Sequence, residues 1–207
     1  MIVFLLFLPA KVLFRLRVSG KKGIEPDEGY IVIARHRSYW DIPMLATALG
    51  RRNRIHFIAR KGLQKNPLFR PLLKLFTTMI DRDSFSKTDF RSLLESFRHE
   101  RLIGVFPEGT TKHTPGVKAG AIHFARLTGK KLLPVNISTR GPYPPRYPFI
   151  FPRMTILIGK AFSLSELEAD LVCADGRAGQ NRLLSARLME RVDALEWAKE
   201  EITEIHA

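Results

Sequence analysis

The sequence predicts an α/β fold with a central mixed sheet flanked by helices, preceded by a short N-terminal membrane-interface helix. Short runs rich in β-branched residues alternate with stretches of helical periodicity, and turn-forming or charged residues separate them. The length of 207 residues suits one domain with one sizeable core. We therefore expect an apolar and basic N-terminal segment over residues 1–18 and a single domain over residues 19–207.

The N-terminal segment begins with eight apolar residues, after which Pro9 and Lys11 interrupt the run. A membrane-spanning helix needs about 20 apolar residues, so this run is too short to cross a bilayer. It also lacks the flanking basic and small residues that mark a secretory signal. Lys11 and Arg15 share one helical face, which favours a helix lying in the membrane interface. A first helix packed on the core is the alternative.

Five short runs have the composition and length of strands, and five longer stretches have helical periodicity. The predicted strands are residues 30–34, 55–59, 102–106, 132–137 and 155–158. The predicted helices are residues 42–49, 67–76, 87–100, 117–128 and 179–205. Residues 141–148 hold too many prolines for regular structure and predict a loop.

The charge balance indicates an anionic partner. Lys and Arg number 34 against 20 Asp and Glu, which gives a formal net charge of +14. Residues 42–80 carry eight basic side chains and no acidic one, and residues 67–76 mix cations with Leu and Phe. This mixture favours contact with anionic membrane lipids over a buried helix with a basic rim. Nucleic acid is not expected, because such a site would more often interleave exposed aromatics with base-reading polar residues, and this stretch offers mainly Leu and Phe.

The cysteine and most histidines offer little chemistry. Cys173 is the only cysteine, which excludes an internal disulfide and fits a reducing compartment. No activating base stands near it in the sequence, so a nucleophilic role is not expected. A structural or solvated role is expected for His56, His99, His113, His123 and His206, and no metal site is predicted.

The first chemical motif joins His36 to Asp41. His36 follows the strand at 30–34, and a helix is expected to start near Ser38 to Asp41, with Pro43 in its first turn. The intervening turn lets the carboxylate reach the imidazole, where it can fix the tautomer and stabilise the imidazolium. Such a pair can deprotonate an alcohol. A capping Asp beside an unrelated loop His is the alternative interpretation.

The second motif, residues 106–111, follows the strand at 102–106. A glycine-containing turn after a strand presents backbone N–H groups to an anion, and Thr110 and Thr111 add hydroxyl donors. A simple turn followed by a helix cap is the alternative for this motif alone.

Taken together, the blocks resemble the PlsC-like glycerolipid acyltransferases. Four segments occur in that family's order and with similar separations: residues 36–41, 80–82, 106–110 and 133–135. Residues 117–121 are similar to its Phe-Lys-x-Gly segment. The resemblance covers residues 20–160 or so and is far more specific than either motif alone.

The resemblance implies roles for individual residues. His36 would be the general base and Asp41 its partner. Arg82 would contact the phosphate of the acceptor. The residues that would shape the acceptor site are Glu108, Gly109 and Thr110, with Glu108 on a glycerol hydroxyl or orienting Arg82.

Two positions depart from the family pattern. Arg35 stands where the family usually has Asn, and Thr111 stands where it usually has Arg. The second change leaves the phosphate site one guanidinium short. Lys118, Lys112 or Lys61 are candidates to replace that charge, without the bidentate fork of an arginine.

The expected activity is transfer of a fatty acyl group from acyl-CoA or acyl-carrier protein to the sn-2 hydroxyl of 1-acyl-glycerol 3-phosphate. No metal or organic cofactor is expected, since the thioester is a cosubstrate. The expected location is the cytoplasmic face of the membrane, as a peripheral or monotopic protein. Rival interpretations are a different acceptor (glycerol 3-phosphate or another lysophospholipid), a non-catalytic protein that binds membrane or nucleic acid, and a hydrolase using the same pair.

Overall fold

The computed structural model describes residue 9 and residues 11–60, 76–81, 84–109, 117–146, 150–169 and 176–195. In this part of the chain a seven-stranded mixed sheet lies between two layers of helices, which confirms the predicted fold class. The strands are β1 (Arg17–Ser19), β2 (Tyr30–Ile33), β3 (Ile55–Arg60), β4 (Thr77–Ile80), β5 (Leu102–Val105), β6 (Lys131–Arg140) and β7 (Arg153–Ile158).

The sheet has the strand order β1-β7-β6-β2-β5-β3-β4. The pair β6–β7 is antiparallel, and every other neighbouring pair is parallel. Strands β2 and β5 lie side by side at the centre, and all four residues of β2 are buried. Because parallel strands end at the same edge of a sheet, the segments that follow β2 and β5 are brought together.

The helices bury the two faces of the sheet in separate cores. Helix α1 covers one face together with the N-terminal segment, and α2, α3, α4 and α5 cover the other. Side chains of a strand alternate between the two cores, as in β2, where Val32 faces α1 and Ile31 faces the other four helices. The helices are α1 (Asp41–Leu49), α2 (Lys87–His99), α3 (Gly120–Thr128), α4 (Leu164–Glu168) and α5 (Gly176–Asp193).

Most predicted elements are present, with shifts at their ends. The helix expected at 117–128 begins at Gly120, and the last helix begins at Gly176 and ends at Asp193. The end predicted for it at 205 lies outside the described residues. The helix expected at 67–76 lies almost wholly outside the described residues. Strands β1 and β4 and helix α4, which have three to five residues each, were not predicted from the sequence.

The N-terminal segment reaches into the domain at its end. Phe14 is fully buried and packs against Trp40, at a ring-centroid distance of 5.0 Å, while Val12 and Leu13 are exposed. Strand β1 pairs with β7, so the predicted boundary between residues 18 and 19 falls inside a strand. The interface helix itself stays a prediction, since residues 1–8 lie outside the described residues.

Candidate active site

The two predicted motifs meet at one edge of the sheet. In the register of β2 and β5, Ile33 lies opposite Val105. His36 follows three residues after the end of β2, and Glu108 follows three residues after the end of β5. The backbone N–H of His36 donates to Oε2 of Glu108 over 3.1 Å, which ties the two segments directly.

The carboxylate of Asp41 is buried and fully hydrogen-bonded. Its side chain is 1% exposed, and Oδ2 accepts the backbone N–H groups of Arg37 at 2.7 Å and Ser38 at 2.8 Å. Asp41 is the first residue of α1, and Trp40 occupies the N-cap position without a side-chain cap. The helix therefore starts within the predicted stretch, and Asp41 does not cap it, because the carboxylate folds back onto the turn that precedes the helix.

This carboxylate also holds the ring of His36. The Nδ1 atom lies 3.1 Å from Oδ2 of Asp41. A carboxylate that already accepts backbone N–H groups acts as an acceptor, so Nδ1 carries the proton and Nε2 carries the lone pair. No described residue forms a hydrogen bond with Nε2. His36 therefore has the tautomer and the open nitrogen that a general base requires.

An aromatic floor fixes the plane of the ring. The rings of His36 and Phe106 are stacked with centroids 4.3 Å apart and planes at 20°, and Phe57 stacks on Phe106 at 6.0 Å. Strand β5 leaves room for this stack at Gly104, where an added Cβ would lie 2.5 Å from the Phe57 ring. The stack restricts rotation of the imidazole without occupying either ring nitrogen.

Tyr143 adds a donor that sequence reasoning did not identify. Its hydroxyl donates to Oδ1 of Asp41, the oxygen not used by His36. Burial, and then the negative charge of Asp41, raise the pKa of the Tyr143 phenol well above its usual value. The phenol therefore remains a hydrogen-bond donor throughout the range in which proteins are assayed.

The turn after β5 is closed by its own backbone. The N–H of Gly109 donates to the carbonyl of Phe106 over 2.9 Å, and Gly109 has φ of 68°, a left-handed conformation that favours glycine. The N–H of Lys118 donates to the carbonyl of Pro107 over 2.9 Å, so the segment before α3 lies against the same turn. The side chain of Lys118 is exposed there.

A second ionic network flanks the histidine. Arg35 donates from Nη1 to Oε1 of Glu108 at 2.5 Å, and from Nε and Nη2 to the two oxygens of Asp193 at 2.6 and 2.5 Å. The hydrogen bond to Asp193, and to a smaller extent the one to Glu108, raise the pKa of Arg35 above its usual value despite partial burial. The guanidinium is a permanent cation between two carboxylates.

The structure brings together His36, Asp41 and Glu108 as the sequence motifs suggested. Glu108 contacts Arg35 and the backbone of His36. Arg82 and Thr110, two further predicted acceptor-site residues, lie outside the described residues.

Four contributors were missed at the level of sequence. Tyr143 lies in the loop predicted only as irregular, and Asp193 in a helix that carried no motif. Phe106 belongs to the second motif, but no role was assigned to it. Arg35 was noticed only as a departure from a family pattern, although a charged residue directly before a candidate base is a usable signal.

Two kinds of site are absent from the described residues. No cluster of His, Cys, Asp and Glu side chains there has the arrangement needed to hold a metal ion. In the same residues, no helix combines the length and apolar character that crossing a bilayer would demand.

The fold matches that of a solved enzyme. The chain is similar to PlsC, the 1-acyl-sn-glycerophosphate (LPA) acyltransferase of Thermotoga maritima, with a TM-score of 0.65 over 95% of this chain and 80% of that one. The two sequences are 22% identical, so this likeness concerns the fold.

Sequence comparison gives the family. The model of the Acyltransferase family matches residues 15–138, more than half of the chain, and the chain belongs to that family. A 1-acyl-sn-glycerol-3-phosphate acyltransferase of Streptococcus pneumoniae (strain ATCC BAA-255 / R6) is 30% identical over 112 residues. The match includes 53% of this chain and 42% of that protein, so the chain spans less than half the length of this curated relative.

Proposed function

We propose that this protein transfers a fatty acyl group from an acyl thioester to the sn-2 hydroxyl of 1-acyl-glycerol 3-phosphate, giving phosphatidic acid. The observation that carries the proposal is the His36 ring, whose Nδ1 is held by the buried Asp41 while no described residue bonds to Nε2. The names of the streptococcal relative and of the Thermotoga protein support this choice of acceptor.

The proposed chemistry is a single acyl transfer. Nε2 of His36 takes the proton of the acceptor hydroxyl as its oxygen bonds to the thioester carbonyl carbon. Asp41 stabilises the imidazolium that forms, and three other donors share its negative charge. The C–S bond then breaks, and the leaving thiolate takes the proton back from His36. Neither an acyl-enzyme nor a metal or organic cofactor enters this scheme.

The acceptor phosphate is assigned to cations near the turn after β5. Arg82 supplies the guanidinium in this proposal, with Gly109 and Thr110 forming the wall of the acceptor site. Lys118 is favoured as a further cation, because its backbone is bonded to Pro107 and its side chain is exposed. Donors at this turn or at the start of α1 would stabilise the oxyanion of the tetrahedral intermediate.

We place the reaction at the cytoplasmic face of a membrane, with the protein peripheral or monotopic. The net charge of +14 favours anionic lipid, and exposed Val12 and Leu13 lie beside Lys11 in the N-terminal segment. Acyl-CoA and acyl-carrier protein are both candidate donors in this proposal, and the basic surface suits either anionic cosubstrate.

The test is an acyl-transfer assay with the purified full chain. Labelled acyl-CoA and acyl-carrier-protein thioesters are each offered with lysophosphatidic acid, glycerol 3-phosphate or lysophosphatidylcholine in mixed micelles, and products are resolved by mass spectrometry. We expect phosphatidic acid as the main product, formed from lysophosphatidic acid. Thiol release that is independent of acceptor would indicate a hydrolase, and no turnover with any pair would overturn the proposal.

A further inference from the structure

We propose that Arg35 and Asp193 are positioning residues, which fix the candidate base through Glu108. In this arrangement the last turn of α5 holds the guanidinium, the guanidinium holds one oxygen of Glu108, and the other oxygen holds the backbone of His36. We call this series of contacts, from Asp193 through Arg35 and Glu108 to the backbone of His36, the bridge. The inference rests on the proposed function for its kinetic consequences, although the bridge itself can be observed separately.

The outer half of the bridge is a bidentate pair. Nε and Nη2 of Arg35 lie 2.6 and 2.5 Å from Oδ1 and Oδ2 of Asp193, 158 residues later in the chain. Two parallel hydrogen bonds fix the plane of the guanidinium, which a single contact would leave free to rotate. Because Asp193 is the final residue of α5, this helix defines where Arg35 is held.

The inner half of the bridge uses both oxygens of one carboxylate. Oε1 of Glu108 accepts from Nη1 of Arg35 at 2.5 Å, and Oε2 accepts from the N–H of His36 at 3.1 Å. Arg35 and His36 are adjacent, so Glu108 clamps the end of the segment that carries the base. The clamp acts on the backbone, while Asp41 and Phe106 act on the ring.

Burial explains why the clamp depends on the arginine. The side chain of Glu108 is 17% exposed, compared with 30% for Arg35 and 49% for Asp193. A carboxylate with little access to water needs a charged partner or must move outward. Loss of Arg35, or of the aspartate that orients it, would therefore release Glu108 from His36. A lysine could not replace it, since an ammonium has no planar fork to serve both carboxylates.

The kinetic test compares two variants of α5. Asp193→Asn removes one negative charge and one oxygen of the bidentate pair, while Glu190→Gln removes a charge from the same helix at an exposed residue outside the bridge. We expect Asp193→Asn to lower kcat about five- to tenfold, because small displacements of a reacting group are costly. KM for the thioester should stay within about twofold, and Glu190→Gln should match wild type in both constants.

Thermal unfolding separates positioning from general stability. A partly exposed ion pair contributes little to stability, so Tm of Asp193→Asn should fall by about 4 °C or less.

Variants of Arg35 give a second kinetic test. Arg35→Lys should lower kcat at least as much as Asp193→Asn does. The double variant Arg35→Ala with Asp193→Ala should lower kcat no more than Arg35→Ala alone. Multiplying effects in the double variant, or a loss of kcat matched by Glu190→Gln, would contradict the bridge.

A spectroscopic arm tests the bridge without activity. Selective ¹⁵N-histidine labelling of the full chain gives one backbone amide signal for each of its six histidines, and His36→Ala assigns the relevant signal. We expect that signal alone to shift and exchange faster in Asp193→Asn, and to stay in place in Glu190→Gln. A shift without acyl transfer by wild type would retain the bridge and reject the proposed function. An unmoved signal would overturn the bridge itself.

Discussion

Two histidines of this protein each lie beside a carboxylate, and the two carboxylates are held very differently. His36 contacts Asp41 at 3.1 Å, and His56, on β3, lies 3.6 Å from a carboxylate oxygen of Glu100. Asp41 is 1% exposed and Glu100 is 41% exposed. The first carboxylate is therefore held rigidly by the protein, while the second is largely solvated.

The second ring nitrogen shows the larger difference. The hydroxyl of Ser96 donates to the carbonyl of Ser92, so it accepts from the hydroxyl of Thr78. The hydroxyl of Thr78 has then used its proton, and it accepts from Nε2 of His56 at 2.8 Å. Each hydroxyl has one proton, which fixes this direction. The Nε2–H of His56 therefore donates to Thr78, and the lone pair on Nδ1 of His56 faces Glu100.

The comparison shows what separates a candidate base from a structural histidine. Proximity to an acid is common to both. A base additionally needs a buried acceptor that sets the tautomer and a nitrogen left open for the substrate. Only His36 of the two meets both conditions, and variants of the partner residues test whether this distinction determines activity.

The largest effect is expected for Asp41→Asn. An amide cannot stabilise the imidazolium and can hold the ring in the wrong tautomer, so kcat should fall by about 10²–10⁴-fold. The matched variant, Glu100→Gln beside His56, should keep kcat within about twofold. Steady-state acyl-transfer assays check both, with circular dichroism to confirm folding. Equal losses of kcat in Asp41→Asn and Glu100→Gln would contradict the distinction between His36 and His56.

An intermediate effect is expected for Tyr143→Phe. The change removes one donor from a buried carboxylate and leaves the ring in place, which costs about 1.5–3 kcal/mol of hydrogen-bond energy. We expect kcat to fall roughly tenfold and urea stability to fall by about 1–3 kcal/mol. Because the pKa of Tyr143 is raised, the size of the effect should not change between pH 6 and pH 9. A kcat equal to that of wild type in Tyr143→Phe would show that the Tyr143 hydroxyl does not support the candidate base.

The smallest effect on activity is expected for His56→Gln. Burial lowers the pKa of His56, opposed by Glu100 and assisted by Arg54. The unfolded chain then binds the proton more readily, so this residue's contribution to stability is complete above about pH 6.5 and is lost as pH falls through the lower folded-state pKa. Activity should stay within about twofold, and urea titrations at pH 8 and pH 5 should show a shallower decline than wild type. If the free energy of unfolding of His56→Gln changed with pH as it does in wild type, His56 would not be the source of this pH dependence.

The central strands were predictable from sequence because burial on both faces leaves a continuous apolar run. Strand β2 reads Tyr-Ile-Val-Ile and is wholly buried. Strand β1 has three residues at the sheet edge and carries no such run. Helix α4 did leave a signal, the capping box of Ser163 and Glu166, which sequence reasoning overlooked.

The contacts of the candidate site also differ in how far they could be predicted from the sequence. His36 and Asp41 are five residues apart on one turn, so a local pattern reveals them. Tyr143 reaches Asp41 from 102 residues away, and Asp193 reaches Arg35 from 158 residues away. No periodicity or motif encodes such contacts, since they depend on how β6 and α5 are placed by the assembled sheet. Sequence therefore predicted the contact between His36 and Asp41 and missed the groups that hold this pair.

The most direct test of the central claim is the turnover of His36→Ala with acyl thioester and lysophosphatidic acid, measured as thiol release and as phosphatidic acid formed. The assignment predicts a loss of about 10²–10⁴-fold in kcat with an unchanged circular dichroism spectrum. A folded His36→Ala protein that retained more than a tenth of wild-type turnover would show that the base lies elsewhere.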